Sequence, residues 1–106
     1  MKPVKDLIYL SGGISKNPNY KADFRRAERK MRAAGFEVIN PVTLISVVPL
    51  KSHRDYMDIA LAWLKKADAV LMLCGWSTSE GAVEEYNTAK QKGIPVHFED
   101  GAEREE

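Results

Sequence analysis

Four short apolar runs, separated by stretches of helical period, set the frame of the chain. Leu7-Ile8-Tyr9-Leu10, Phe36-Glu37-Val38-Ile39-Asn40, Ala69-Val70-Leu71-Met72-Leu73 and Ile94-Pro95-Val96-His97-Phe98 have the length and composition of strands. Pro41 ends the second run, since proline cannot donate to a ladder. Between the first two runs, Phe24, Ala27, Met31 and Ala34 recur at helical spacing. They predict a helix over about 20–34, with Asn19 as N-cap and Gly35 as the stop. Tyr56, Ile59, Ala60, Trp63 and Leu64 form the apolar stripe of a second helix over about 53–66. A third runs over about 81–91 and stops near Gly93. Residues 42–52 have no clear period and contain Pro49, which reads as a loop over a cleft. Residues 99–106 are acidic and polar and are expected to fray.

Strands alternating with helices imply an α/β domain with a parallel sheet and right-handed crossovers. The expectation is a flavodoxin/Rossmann-like sheet of about four strands in the order 2-1-3-4, with helices on both faces. The domain covers 1–98 and the acidic C-terminal tail 99–106. In that order the first and third strands lie side by side. Their carboxyl ends, Ser11–Ser15 and Gly75–Glu85, then border one crevice at the switch point, where open α/β sheets bind ligands.

Composition narrows the classes. A length of 106 residues suits one domain, and 16 basic against 15 acidic residues leave a net charge of +1. Nothing global points to nucleic acid or to a membrane surface. Arg25, Arg26, Arg29, Lys30 and Arg32 crowd the first helix, but Asp23 and Glu28 are interspersed and aromatic platforms are absent. A solvated helix face is the better reading than a nucleic-acid patch. No apolar run approaches the ~20 residues that span a bilayer, and no apolar signal-peptide core opens the chain. A cytoplasmic location is expected. Cys74 is the only cysteine, so no internal disulfide or cysteine metal site forms. His53 and His97 are the only histidines, which argues against a histidine metal site, and His53 reads as a cap or surface residue.

The candidate chemistry sits in the two loops. Gly12-Gly13 directly follows a strand, so its amides can approach an anion; a plain tight turn fits equally. The dinucleotide fingerprint is not met, since the third glycine is missing. After the third strand, Cys74-Gly75-Trp76-Ser77-Thr78-Ser79 leads into a helix that begins near Gly81. Glu84 and Glu85 fall near its start, where the dipole favours an ionised carboxylate. A positioned glutamate facing a cleft is a plausible nucleophile, and two solvated first-turn glutamates are the plain alternative. Tyr9 would lie on the crevice floor, though a tyrosine in a strand is also ordinary core.

These residues carry a resemblance. Ile8-Tyr9-Leu10-Ser11-Gly12, Gly35-Phe36-Glu37-Val38-Ile39-Asn40-Pro41, Ala67-Asp68-Ala69-Val70, Gly75-Trp76 and Ser79-Glu80-Gly81-Ala82-Val83-Glu84-Glu85 occur in an order that resembles the nucleoside 2-deoxyribosyltransferase-like superfamily, especially its short phage-type branch. Leu61-Ala62-Trp63-Leu64-Lys65-Lys66-Ala67-Asp68 is similar to the matching helix of 2′-deoxynucleoside 5′-monophosphate N-glycosidases. The resemblance implies cleavage of an N-glycosidic bond through a glutamyl-glycosyl ester, with no cofactor. Glu85, flanked by Gly81 and Ala89 at the family spacing, matches the nucleophile, and Tyr9 matches the tyrosine that positions it. Ser79 matches the serine by which the monophosphate glycosidases hold the 5′-phosphate; the nucleoside transferases carry an aspartate there. Ser11, Gly12, Gly13, Ser79 and Gly81 are the substrate-binding set implied. One departure stands out. The family's substrate-contacting aspartate falls at Ala60, and Asp58, two residues earlier, lies about 200° round an ideal helix. Asp58 is the weakest member of the proposed site. The expected partners are a small-molecule nucleotide or nucleoside, no nucleic acid, no membrane, and a second copy of the chain. A homodimer or higher homo-oligomer is expected, using Val42-Thr43-Leu44-Ile45-Ser46-Val47-Val48 and Trp63. Base exchange between nucleosides and a catalytically weak nucleotide-binding module are the alternative functions.

Overall fold

The computed structural model describes residues 5–14, 17–43 and 52–104. Strands β1 (Leu7–Ser11), β2 (Glu37–Ile39), β3 (Ala69–Met72) and β4 (Val96–Phe98) form one sheet in the order β2-β1-β3-β4. Every neighbouring pair is parallel, with Tyr9 opposite Ile39 on one side and Val70 on the other. The helices α1 (Tyr20–Ala33), α2 (His53–Leu64) and α3 (Glu80–Lys92) complete the described elements, with a single 3-10 turn at Trp76–Thr78. The expected sheet order, with helices on both faces, is therefore observed.

Strand alternation divides the core in two. Ile8, Leu10, Ala69, Leu71 and Leu73 point to one face and pack with Phe24 and Ala27 of α1. Tyr9, Val70 and Met72 point to the other and pack with Ala60 and Leu64 of α2 and with Ala82, Tyr86 and Ala89 of α3. β1 and β3 are central and almost wholly buried, which explains their unbroken apolar runs.

Local signals set the element ends. Ser52 accepts from the Asp55 amide at 3.1 Å, so Ser52 rather than His53 caps α2. Asn19 occupies the cap position of α1, yet its side chain makes no capping bond. Asn17 takes over: its Oδ1 accepts from the Asn19 amide and its Nδ2 donates to Asp23, both at 2.9 Å. α1 closes on Gly35 at φ +99°, with the Phe36 amide bonded back to the Met31 carbonyl.

The tail departs from expectation. Residues 99–104 dock instead of fraying, and Ala102 is buried. The Trp76 indole N–H donates to the Glu103 carbonyl at 2.7 Å, and Arg104 lies over the Phe98 ring. Polar composition predicted solvation; three backbone amides at Cys74, Gly75 and Ser77 supply the carboxylate partners that composition does not reveal. Within the described residues, no helix is long and apolar enough to cross a membrane.

Candidate active site

A crevice of about 1010 Å³ opens at the carboxyl ends of β1 and β3, a volume suited to a small organic ligand. Gly12 and Gly13 leave β1 along one edge, and Gly75 with Thr78, Ser79, Glu80 and Gly81 follow β3 along the other. The Leu73 amide donates to the Ser11 carbonyl at 2.8 Å and ties the two strand ends together. A Cβ on Gly12 would meet Leu73 at 3.1 Å, so the glycine permits this approach. A Cβ on Gly13 would lie 3.5 Å from the Ser79 Cβ, which places the Gly12-Gly13 turn beside Ser79.

Ser79 caps α3: its hydroxyl oxygen accepts from the Ala82 amide at 3.3 Å. The hydroxyl proton remains for a group in the crevice. The first amides of α3, which helix geometry leaves without intrahelical partners, border the same space. Gly81 lies where α2 crosses α3; a Cβ there would meet the Met57 sulfur at 3.1 Å and the His53 Cε1 at 3.3 Å.

Adjacent glutamates on α3 have opposite surroundings. Glu84 faces outward and pairs with Arg54 at 3.2 Å. Glu85 faces inward, is 3% exposed and borders the crevice. Ser11 donates to its Oε1 at 2.7 Å, and the Tyr9 hydroxyl donates to its Oε2. Tyr56, from α2, stands beside this pair, within electrostatic reach of both Tyr9 and Glu85. Burial pushes the Glu85 carboxyl up to about 7, against the pull of its two hydroxyl donors and with a further push from Glu84. Burial and the Glu85 charge push both tyrosines well above the usual phenol range. The result is a desolvated carboxylate, held from two sides and aimed at an accessible cavity.

Of the residues singled out from sequence, Tyr9, Ser11 and Glu85 form one bonded cluster, with Gly12, Gly13, Ser79 and Gly81 around it. Asp58 is not among them. It lies on the exposed side of α2, bonded to Arg54 at 2.9 Å, and does not line the crevice. Ala60 is fully buried in the core beneath. The helix is regular, so two residues of offset turn Asp58 away from the sheet. Ser15 and Leu44–Val48 of the segments singled out above lie outside the described residues. Trp63 is half-buried against the core.

Crevice residues that sequence did not assign to the site include Tyr56, His53 and Asp23. Tyr56 counted as part of an apolar stripe, because periodicity reports which face a residue takes and not what its hydroxyl meets. Its spacing of three from His53 is the signal that both reach one side of α2. Asp23 lines the α1 side, with Asn17 and Arg26 holding its carboxyl below the usual range. Among the described residues, no group of three or more histidine, cysteine or acidic side chains is placed to hold a metal ion.

Residues 6–98 match the family described as "Domain of unknown function (DUF4406)". The chain belongs to the DUF4406 family. The match spans all four strands and both loops of the crevice, so the Tyr9–Glu85 cluster lies inside the DUF4406 region. A comparison with curated proteins finds no match.

Proposed function

We propose that this chain is a member of the nucleoside 2-deoxyribosyltransferase-like superfamily and cleaves the N-glycosidic bond of a 2′-deoxynucleoside 5′-monophosphate, with Glu85 as nucleophile. One observation carries the reading: Glu85 is buried, bonded by Tyr9 and Ser11, and still borders a crevice of nucleotide size. Solvated helix-start glutamates do not acquire such surroundings; Glu84 shows what they acquire instead.

In the reaction, an ionised Glu85 oxygen bonds to the anomeric carbon. The carbon–nitrogen bond breaks and its electron pair leaves with the base, through an oxocarbenium-like transition state. Tyr9 and Ser11 hold the carboxylate in place, so no orientation is lost at the moment of attack. Water then attacks the anomeric carbon and returns the electron pair to Glu85. A phosphate at the Ser79 end would meet the serine proton and the first amides of α3. The chemistry requires no cofactor or metal. The reading places the protein in nucleotide metabolism, in the cytoplasm, and as a homodimer whose partner completes the pocket; sedimentation giving only monomer at micromolar concentration would remove the last point.

Two other readings remain in view. Passing the sugar to a second base, rather than to water, uses the same residues. A nucleotide-binding module with weak catalysis is favoured by the buried Ala60 and the outward Asp58. Incubation with each deoxynucleoside monophosphate, followed by chromatography for free base, separates them. The expected result is base release by the wild type and none by Glu85→Ala, with Glu84→Ala retaining most activity. Tight binding without release would select the binding module.

A further inference from the structure

A buried nucleophile explains only half of a glycosidic cleavage. The departing base carries away an electron pair and needs a proton, and Ala60 offers none. Most other polar side chains of the crevice are already engaged. Tyr9 and Ser11 give their protons to Glu85. Tyr56 stands beside Tyr9 and, as a phenol held well above its usual range by burial, yields a proton reluctantly. Thr78 donates to the Gly75 carbonyl at 2.9 Å, and the Cys74 thiol to the Asp100 carbonyl. Asp23 is kept ionised by Asn17 and Arg26.

His53 remains. It is the first residue of α2, it is exposed, and it borders the crevice. Its Cε1 would lie 3.3 Å from a Cβ on Gly81, so the ring sits against the first turn of α3. Its centroid is 6.5 Å from that of Tyr56, which stands beside the Glu85 cluster. Gly81 and Glu85 are four apart and share one face of α3, with a rise of about 5.4 Å between turns. Helical side chains lean toward the N-terminus, so Glu85 leans toward the turn that His53 covers.

Resting on the glycosidase reading above, we propose that His53 is the catalytic acid: standing one helical turn from Glu85 on the same crevice wall, its imidazolium gives a proton to the nucleobase as the glycosidic bond breaks. Glu85 supplies the electron pair to the anomeric carbon, the base takes the pair from the broken bond, and the imidazolium proton makes it neutral. In the second half the neutral imidazole takes a proton from the attacking water, whose oxygen bonds to the anomeric carbon. The ester electrons return to Glu85, and the site regains its starting charges. The open α2–α3 junction, kept by Gly81, gives the ring room beside a bound base.

The test compares two leaving groups on wild type, His53→Ala and His53→Gln. One substrate is whichever natural deoxynucleoside monophosphate is cleaved fastest. The other is 4-nitrophenyl 2-deoxyriboside 5-phosphate, whose leaving group departs as a stable anion and needs no proton. With the natural nucleotide, both variants should lose about a hundredfold to ten-thousandfold in kcat, the usual worth of a general acid. With the nitrophenyl compound they should stay within about threefold of wild type. Because His53 is exposed, neither substitution should move the thermal midpoint by more than a few degrees. Equal losses on both substrates, or no loss on the natural one, overturn the assignment while leaving the glycosidase reading intact. If the wild type cleaves neither substrate, the glycosidase reading falls and the role of His53 falls with it.

Discussion

Glu84 and Glu85 are neighbours in the chain, yet one is an ordinary surface ion pair and the other a buried group. Burial raises the Glu85 carboxyl from an ordinary 4.5 to about 7, so the native state binds this proton more tightly than the unfolded chain. Stability must then fall as pH rises from about 4.5 through about 7 and stay lower above it. Glu85→Gln removes that loss. Its urea midpoint should exceed that of wild type at pH 8.5, by the equivalent of about 1–3 kcal/mol, and match it near pH 4.5. The same carboxylate must be ionised to attack, so kcat/KM for base release should rise through about pH 7. Tyr9→Phe deletes a donor that favours the ionised form, and should move that limb to higher pH in a pH–rate profile. Ser79→Asp would set a negative charge beside the proposed phosphate. Repulsion of a few kcal/mol, on the order of tenfold to a thousandfold in affinity, should weaken a monophosphate far more than its nucleoside in calorimetry. Equal effects on the two ligands would remove the phosphate assignment.

The elements matter through where they cross. α2 and α3 meet at Gly81, against Met57 and His53. Gly81→Ala would add a methyl 3.1 Å from the buried Met57 sulfur, closer than most real contacts. The helix gains up to about 1 kcal/mol from losing a glycine, which offsets the crowding. Stability measured by urea should therefore change by less than about 1 kcal/mol, whereas catalytic efficiency should fall at least tenfold as the ring of His53 shifts. Activity unchanged from wild type would show that the junction has slack.

At the scale of the whole molecule, the C-terminal segment closes the back of the β3–α3 loop. Glu99 accepts from the Cys74 amide, and Glu103 accepts from the amides of Gly75 and Ser77 and from the Ser77 hydroxyl. These donors, the hydroxyl foremost, hold the Glu103 carboxyl down at about 2. A depressed carboxylate contributes stability above an ordinary 4.5, and that contribution fades as pH falls from there toward about 2. Glu103→Gln should lower the thermal midpoint at pH 7 by a few degrees, about 1 kcal/mol after allowance for solvent screening, and the difference should vanish by about pH 2. An unchanged midpoint at pH 7 would mean the segment docks through Ala102 and Trp76 alone.

Much of this architecture was written in the chain itself. Strand runs, helical stripes and glycine or proline punctuation prescribe a parallel sheet in the order 2-1-3-4, because such patterns depend on local period and on right-handed crossovers. The pairing of Tyr9 with Glu85 was legible only through a resemblance, which left Ser11 among the substrate-binding residues; periodicity alone left Tyr9 as core and the two glutamates alike. Tertiary structure decided what depends on partners distant in sequence. Residues 74 to 76 positions apart put two hydroxyls on one carboxylate, α2 brought Tyr56 and His53 to the crevice, and regular helix geometry turned Asp58 outward to Arg54. The docked tail belongs with these: its glutamates read as solvent-seeking until the fold presented them with backbone amides. Sequence encodes which face a residue takes; the charge state and reach of a side chain follow from the groups that the completed fold sets around it.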